Sequence, residues 1–142
     1  EGEAVELSKV SDPTFGEEIL GKGVAIIPSV GRTVAPVDGT IEMVFDTKHA
    51  ISMTSDSGIE ILIHIGLDTV TLKGEPFTAH VAAGDKVKAG DLLLEFDIEA
   101  IKEAGLDTIV PMVICNTSDY SEIQASAGKT VKVLDEVLTV TK

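Results

Sequence analysis

The sequence predicts a mostly-β chain: a single-domain antiparallel β-sandwich or flattened barrel over residues 1–142, with at most short helices. Three observations carry that expectation. Short apolar runs recur along the whole chain with Gly and Asp turn signals between them. Apolar residues make up 44% of the sequence while aromatics supply only 4% and Trp is absent. The core must therefore rest on Val, Ile and Leu, a bias that suits pleated surfaces. Finally, the strand-like runs do not alternate with helical segments, so no βαβ rhythm calls for a parallel sheet. A chain of 142 residues is long enough to bury one substantial core without disulfides or a structural metal.

In chain order, β-like runs fall at residues 4–10, 24–28, 40–46, 51–56, 59–65, 92–97, 109–116 and 130–141. Only residues 98–105 read as a helix, with Ile98, Ile101 and Lys102 ahead of a terminating Gly105. The stretches 34–46 and 81–97 share a faint pattern, a Gly-Asp or Asp-Gly turn followed by a β run ending in Phe-Asp. No linker or low-complexity tract divides the chain.

The 24 acidic and 11 basic residues give a formal net charge of −13. That charge argues against electrostatic binding to nucleic acid or to an anionic membrane surface and favours a basic protein partner. Cys115 is the single cysteine, which leaves no intrachain disulfide and no Cys-based zinc site and fits a reducing, cytoplasmic setting. No apolar run approaches the roughly 20 residues of a membrane span, and the opening EGEAVELSKV lacks the apolar core of a signal peptide. A start at Glu1 rather than Met implies processing or excision from a longer chain.

The stretch that carries chemistry is FDTKHAISMTSDSGIEILIHIGLDTV, residues 45–70. Its two β runs meet at Asp56-Ser57-Gly58 and should form a hairpin. If Ser57-Gly58 is a two-residue loop, Asp56 pairs with Ile59, Ile51 lies opposite His64, and His49 lies opposite Gly66. His49 and His64 then share a face as diagonal cross-strand neighbours, about 7–8 Å apart at the backbone. Thr47 and Asp68 fall opposite each other on that face, which also carries Ile51, Met53 and Leu62. The other face takes Ile59, Ile61, Ile63 and Ile65 for the core. A three-residue loop shifts the register by one and puts the histidines on opposite faces.

Two imidazoles on one apolar surface permit metal ligation, general acid–base catalysis or phosphoryl transfer through a phosphohistidine. Two packed structural histidines satisfy the same pattern. A phosphohistidine needs one nucleophilic ring nitrogen, a tautomer fixed at the other, and a nearby donor to steady the phosphoryl oxygens. His64, a local acceptor and His49 suit those roles. His80, in PFTAHV, has no partner that the pattern places beside it and reads as structural.

The segment GIEILIHIGLDTV closely resembles the signature around the phosphorylated histidine of glucose-type IIA components of the bacterial phosphoenolpyruvate-dependent sugar phosphotransferase system. The resemblance extends, in family order, through GKGVAIIP, VAPVDGTIEMVFDTKHAISMTSDSG, LKGEPF, GDKVKAGDLLLEFD and TIVPMVICN, and so covers essentially all of the chain after Val10. It implies that His64 accepts a phosphoryl group at Nε2 from the histidine-containing phosphocarrier protein and passes it to a cysteine of a IIB domain. It implies that His49 stabilises the phosphoryl group, that Thr47 positions the His49 imidazole, and that the Gly66 carbonyl holds the Nδ1 proton of His64. Asp68 and Asp12 match acidic residues at the edge of the family's site, and Leu20, Phe45, Leu62 and Val70 match its apolar docking surface.

The resemblance implies no required cofactor beyond the transient phosphoryl group. His49 and His64 form half of a tetrahedral set that could take zinc at an interface. It also implies a cytoplasmic location, as a separate domain or one tethered to a membrane sugar transporter, with membrane contact only through that IIBC transporter and no nucleic-acid partner. Three other readings compete. GDKVKAGDLLLEFD resembles a hairpin of biotinyl and lipoyl carriers, but those present their modified lysine after that hairpin, whereas Lys48 precedes it. A zinc peptidase using His49 and His64 lacks a clear third ligand, and a non-catalytic interaction module needs neither histidine.

Overall fold

Alternating β-branched residues favour extended chain with one face turned inward, and strands dominate the computed structural model of the protein. The structure describes residues 2–6, 22–28, 31–35, 38–45, 48–56, 58–66, 77–115, 122–125, 129–131 and 138–141. Strands run as β1 (Gly2–Glu6), β2 (Lys22–Pro28), β3 (Arg32–Val34), β4 (Gly39–Val44), β5 (Ala50–Ser55), β6 (Glu60–His64), β7 (Phe77–Ala79), β8 (Lys86–Val87) and β9 (Leu92–Phe96). After the helix α1 (Ile98–Glu103) come β10 (Val110–Ile114), β11 (Glu122–Ala125), β12 (Lys129–Val131) and β13 (Leu138–Thr141). All pairings described are antiparallel. They form an eight-stranded sheet, order β12-β1-β2-β10-β6-β5-β4-β8, a three-stranded sheet, order β3-β9-β7, and the pair β11-β13.

The antiparallel β architecture and the short helix are as the sequence predicts. The run at 130–141 is two strands rather than one, and β3, β7, β8 and β11 are strands that the sequence pattern does not reveal. The first three have two or three residues each, too few for an alternation to register. Asp97 caps α1 by accepting from the Ala100 amide at 3.1 Å, and Gly105, with φ 78, follows its last turn.

The core lies between the large and the three-stranded sheets. Ile41, Ile51, Met53, Ile61, Ile63, Val110 and Ile114 of the large sheet meet Phe77, Leu94 and Phe96, with Ile101 of the helix closing the cluster. The stretches of similar pattern, 34–46 and 81–97, hold one another around this core. Ala35 N donates to Asp91 O at 2.8 Å and Ile41 N to Asp85 O at 2.8 Å, while Gly90 N and Gly84 N return bonds to the Ala35 and Ile41 carbonyls.

The β5–β6 register corrects the two-residue-loop expectation. Gly58 N donates to Ser55 O at 3.0 Å and Ser55 N to Ile59 O at 2.8 Å, so Ser55, not Asp56, faces Ile59. Gly58 takes φ 94, the left-handed residue that a three-residue hairpin loop requires. Every pairing moves by one: Ala50 lies opposite His64, Ile51 opposite Ile63, Ser52 opposite Leu62 and Met53 opposite Ile61. Ile51 and Met53 are therefore core residues, 1% and 0% exposed, and do not flank the histidines. Ile51→Ala should lower unfolding free energy by about 2–5 kcal/mol, whereas Ser52→Ala on the other face should change it by less than about 1 kcal/mol. Denaturant unfolding of both variants checks the register, and equal small effects would contradict it.

Candidate functional site

Burial of Ile51, Met53, Ile61 and Ile63 turns the alternate residues to the opposite face of the large sheet. That face carries two rows across the strands. One runs Met43, Ser52, Leu62, Val113, Gly23 through successive cross-strand pairs. The next runs Phe45, Ala50, His64: Ala50 pairs with His64, and Phe45 N donates to Ala50 O at 3.1 Å. Met43 reaches this face because the register of β4 against β5 shifts between Ile41 and Met43, and its side chain is 46% exposed. Half-buried Leu62 packs with Val5, Ala25, Ile109 and Val113 in a second, smaller apolar cluster.

The ladder stops at Ala50 and His64, and the site is built at that end. Beyond it Ile65 N donates to His49 O at 2.6 Å, and Gly66 N donates to Ile109 O at 2.9 Å. His49 thus lies opposite Ile65 rather than Gly66. By register alone the two histidines belong to opposite faces, as a three-residue loop demands. Yet their rings meet edge-on, with centroids 4.9 Å apart and planes at 75°. The Phe45 ring also packs edge-on with His49, centroids 5.3 Å apart and planes at 69°. The convergence expected from the sequence is present, but by a different route, because side-chain parity ceases to bind where the extended pairing ends.

Gly66 has φ 72, and its carbonyl lies 2.6 Å from Nδ1 of His64. A carbonyl only accepts, so Nδ1 of His64 carries the proton, and the lone pair of the neutral ring resides on Nε2. His49 is 8% exposed. Burial first, and the neighbouring His64 second, push its pKa below the ordinary 6.5. The His49 imidazole is therefore held toward its neutral form.

Thr47, Asp68, Asp12, Leu20 and Val70 lie outside the described residues. Phe45 and Leu62 are on the His64 face, and Phe45 also touches the second imidazole. His80 is elsewhere, following β7, and finds a partner that the sequence does not disclose: its Nε2 lies 2.9 Å from Glu95 Oε1. Among the described residues no group of three or more His, Cys, Asp and Glu side chains stands together to hold a metal ion. Zinc at His49 and His64 would need further ligands from outside the described residues. Two features of the site escape sequence reasoning, the exposed Met43 and the left-handed Lys48, with φ 58. A bulge places the former, and Lys gives no signal for the latter.

Residues 1–120 match the family model described as phosphoenolpyruvate-dependent sugar phosphotransferase system, EIIA 1. The chain belongs to this EIIA family. It is 50% identical over 123 residues to a PTS system glucose-specific EIIA component of Oceanobacillus iheyensis, covering 87% of this chain and 74% of that relative. It is 55% identical over 120 residues to a PTS system beta-glucoside-specific EIIBCA component of Bacillus subtilis, covering 84% of this chain but only 20% of that protein. The EIIA chain thus spans about a fifth of its multi-component relative. Among solved structures, glucose permease IIA from Mycoplasma capricolum superimposes with a TM-score of 0.83 at 34% identity, covering 96% of this chain and 88% of that one.

The two causes of the His49 shift separate by mutation. His64→Gln removes the neighbouring charge but leaves His49 buried, so the titration midpoint of His49 should rise only part of the way to 6.5. Imidazole resonances followed by NMR against pH check this. A midpoint unchanged from the parent would deny the coupling between the rings.

Proposed function

We propose that this EIIA chain is a phosphoryl relay that loads His64 from the histidine-containing phosphocarrier protein and unloads it onto a cysteine of a IIB domain. The observation that carries the reading is the 2.6 Å approach of His64 Nδ1 to the Gly66 carbonyl. It fixes the tautomer whose lone pair is on Nε2, the nitrogen a phosphoryl group must reach.

In the loading step Nε2 attacks phosphorus, a new N–P bond forms, and the donor's N–P bond breaks with its electron pair returning to the donor imidazole. In the unloading step a cysteine thiolate attacks, an S–P bond forms, and His64 recovers the pair. Such transfers have loose transition states with charge spread over the equatorial oxygens, so the protein's contribution is placement and electrostatics. His49, edge-on to His64, is the group that meets those oxygens. Before loading, its proton is disfavoured by burial and by His64. Once His64 carries a dianionic phosphoryl group, the local charge changes sign and the same imidazole gains a reason to protonate. Thr47 is assigned to orient His49, and Asp68 and Asp12 to raise the energy of the loaded state by like charge.

The exposed Met43 and the half-buried Phe45 and Leu62 around His64 suit successive docking of two partners that exclude water from a hydrolysable phosphohistidine. Relatives named EIIBCA carry A, B and C components in one chain, which supports a IIB acceptor. Comparable similarity to proteins named for glucose and for beta-glucosides fits a domain that handles phosphate and leaves sugar selection to the transporter. The relay needs no cofactor. We place it at the cytoplasmic side of a membrane sugar transporter; no helix among the described residues is long and apolar enough to cross a membrane itself.

Purified general phosphotransferase proteins with phosphoenolpyruvate should label His64 with an acid-labile, base-stable phosphoryl group. His64→Gln should accept none. His49→Gln should still be labelled but should transfer to IIB at least about 100-fold more slowly, the scale on which positioned groups act in transfer chemistry. Full transfer competence of His64→Ala would refute the relay.

A further inference from the structure

We propose that Lys48 is a positioning residue: its left-handed backbone turns the His49 imidazole against strand parity and onto the His64 face. The proposal rests on the relay reading and deepens it, by naming the residue that makes the two histidines one unit.

The argument begins from a conflict. Ala50 shares a face with His64 and Phe45, and His49 precedes Ala50 directly. Continued extended backbone would aim His49 to the other face, alongside the core residues Ile51 and Ile65. Its ring instead lies 5.3 Å from that of Phe45 and 4.9 Å from that of His64. Some residue next to His49 must break the alternation. Lys48 has φ 58 and is the one non-glycine residue with positive φ among those described.

A residue with a Cβ visits this region at a cost and persists there when the surroundings over-determine it, a condition concentrated at functional sites. The surroundings here are specific. Lys48 N donates to Phe45 O at 2.7 Å, and Phe45 N donates to Ala50 O at 3.1 Å, so the β4–β5 loop is clamped on both sides of the left-handed step. The Lys48 side chain is exposed, so packing of that side chain does not hold the conformation. His64 is fixed separately, by the Gly66 carbonyl. Disturbing Lys48 should therefore move one imidazole and leave the other.

The test compares Lys48→Asn and Lys48→Gly, which keep left-handed backbone accessible without the ammonium, with Lys48→Val, whose branched side chain disfavours it. Two quantities are read: the NMR titration of the His49 imidazole and the rate of transfer from loaded His64 to IIB. The valine variant should lose about ten-fold in transfer, the scale of a left-handed penalty, and its His49 midpoint should rise toward 6.5. Its His64 should still load with an unchanged Nδ1 tautomer. Asn and Gly should stay within about two-fold of the parent in transfer and keep its His49 titration. Equal losses in all three variants would overturn the proposal by making the ammonium the cause, as would a parental His49 titration in the valine variant. If Lys48→Val folds poorly, Lys48→Thr, branched at the same carbon, against Lys48→Gly provides the same contrast, with thermal midpoints recorded. Absence of label on His64 in the parent protein sinks the relay instead, and the imidazole titrations still decide the role of Lys48.

Discussion

The pairing of β5 with β6 is the constraint on which the site depends. Ile51 against Ile63 and Met53 against Ile61 place four nearly inaccessible side chains in the core. Each fully buried aliphatic side chain contributes roughly 1.5–3 kcal/mol relative to exposure. Because the side-chain period of a strand is two, a slip of one residue would expose all four and drive His64 inward. The outward direction of His64 is thus a by-product of core burial. The chemistry inherits its orientation from apolar residues that take no part in it.

What the ladder cannot supply is convergence, and the site gains that from its ends. Gly66, with φ 72, bends the chain so that its carbonyl returns to Nδ1 of the histidine two residues earlier. Lys48, with φ 58, precedes the other imidazole. Two backbone reversals at the same end of the β5–β6 pair therefore serve different purposes: one fixes a tautomer, and the other accompanies a ring that has left its register. Phe45 also packs against His49 and adds to the burial that lowers the pKa of this imidazole.

Much of this was legible in the sequence, and the losses have identifiable causes. The isoleucine run before His64 announces a core strand, and Asp56-Ser57-Gly58 announces a turn, since Gly supplies positive φ at little steric cost. Loop length was not legible, because Ser-Gly after Asp fits a two-residue or a three-residue turn, and one residue of difference moved Ile51 and Met53 from the histidine face to the core. The expected meeting of His49 and His64 survived that error only because the strand ends before His49. Short strands such as β8 escaped because two residues show no period. His80 found Glu95 across a pairing that sequence separation conceals. The family motif, by contrast, reads directly as GIEILIHIGLDTV and needs no register at all.

The electrostatic character of the pair bears on how a relay of this kind could work in both directions. A phosphohistidine that is too stable would never unload, and one too unstable would never form, so the site must favour neither state strongly. In the resting pair, burial and a neighbouring imidazole both oppose a proton on His49. In the proposed loaded state burial still opposes it while the phosphoryl group favours it, so the two influences partly cancel rather than add. In that proposed state the stabilisation offered to the phosphoryl group would be moderated by the cost of charging a buried ring. The chain's net charge of −13 acts the same way: it disfavours accumulation of further negative charge, and it would speed encounter with a basic partner more than it strengthens the complex. A carrier between two proteins gains from both effects, since each limits how long any complex or any load persists.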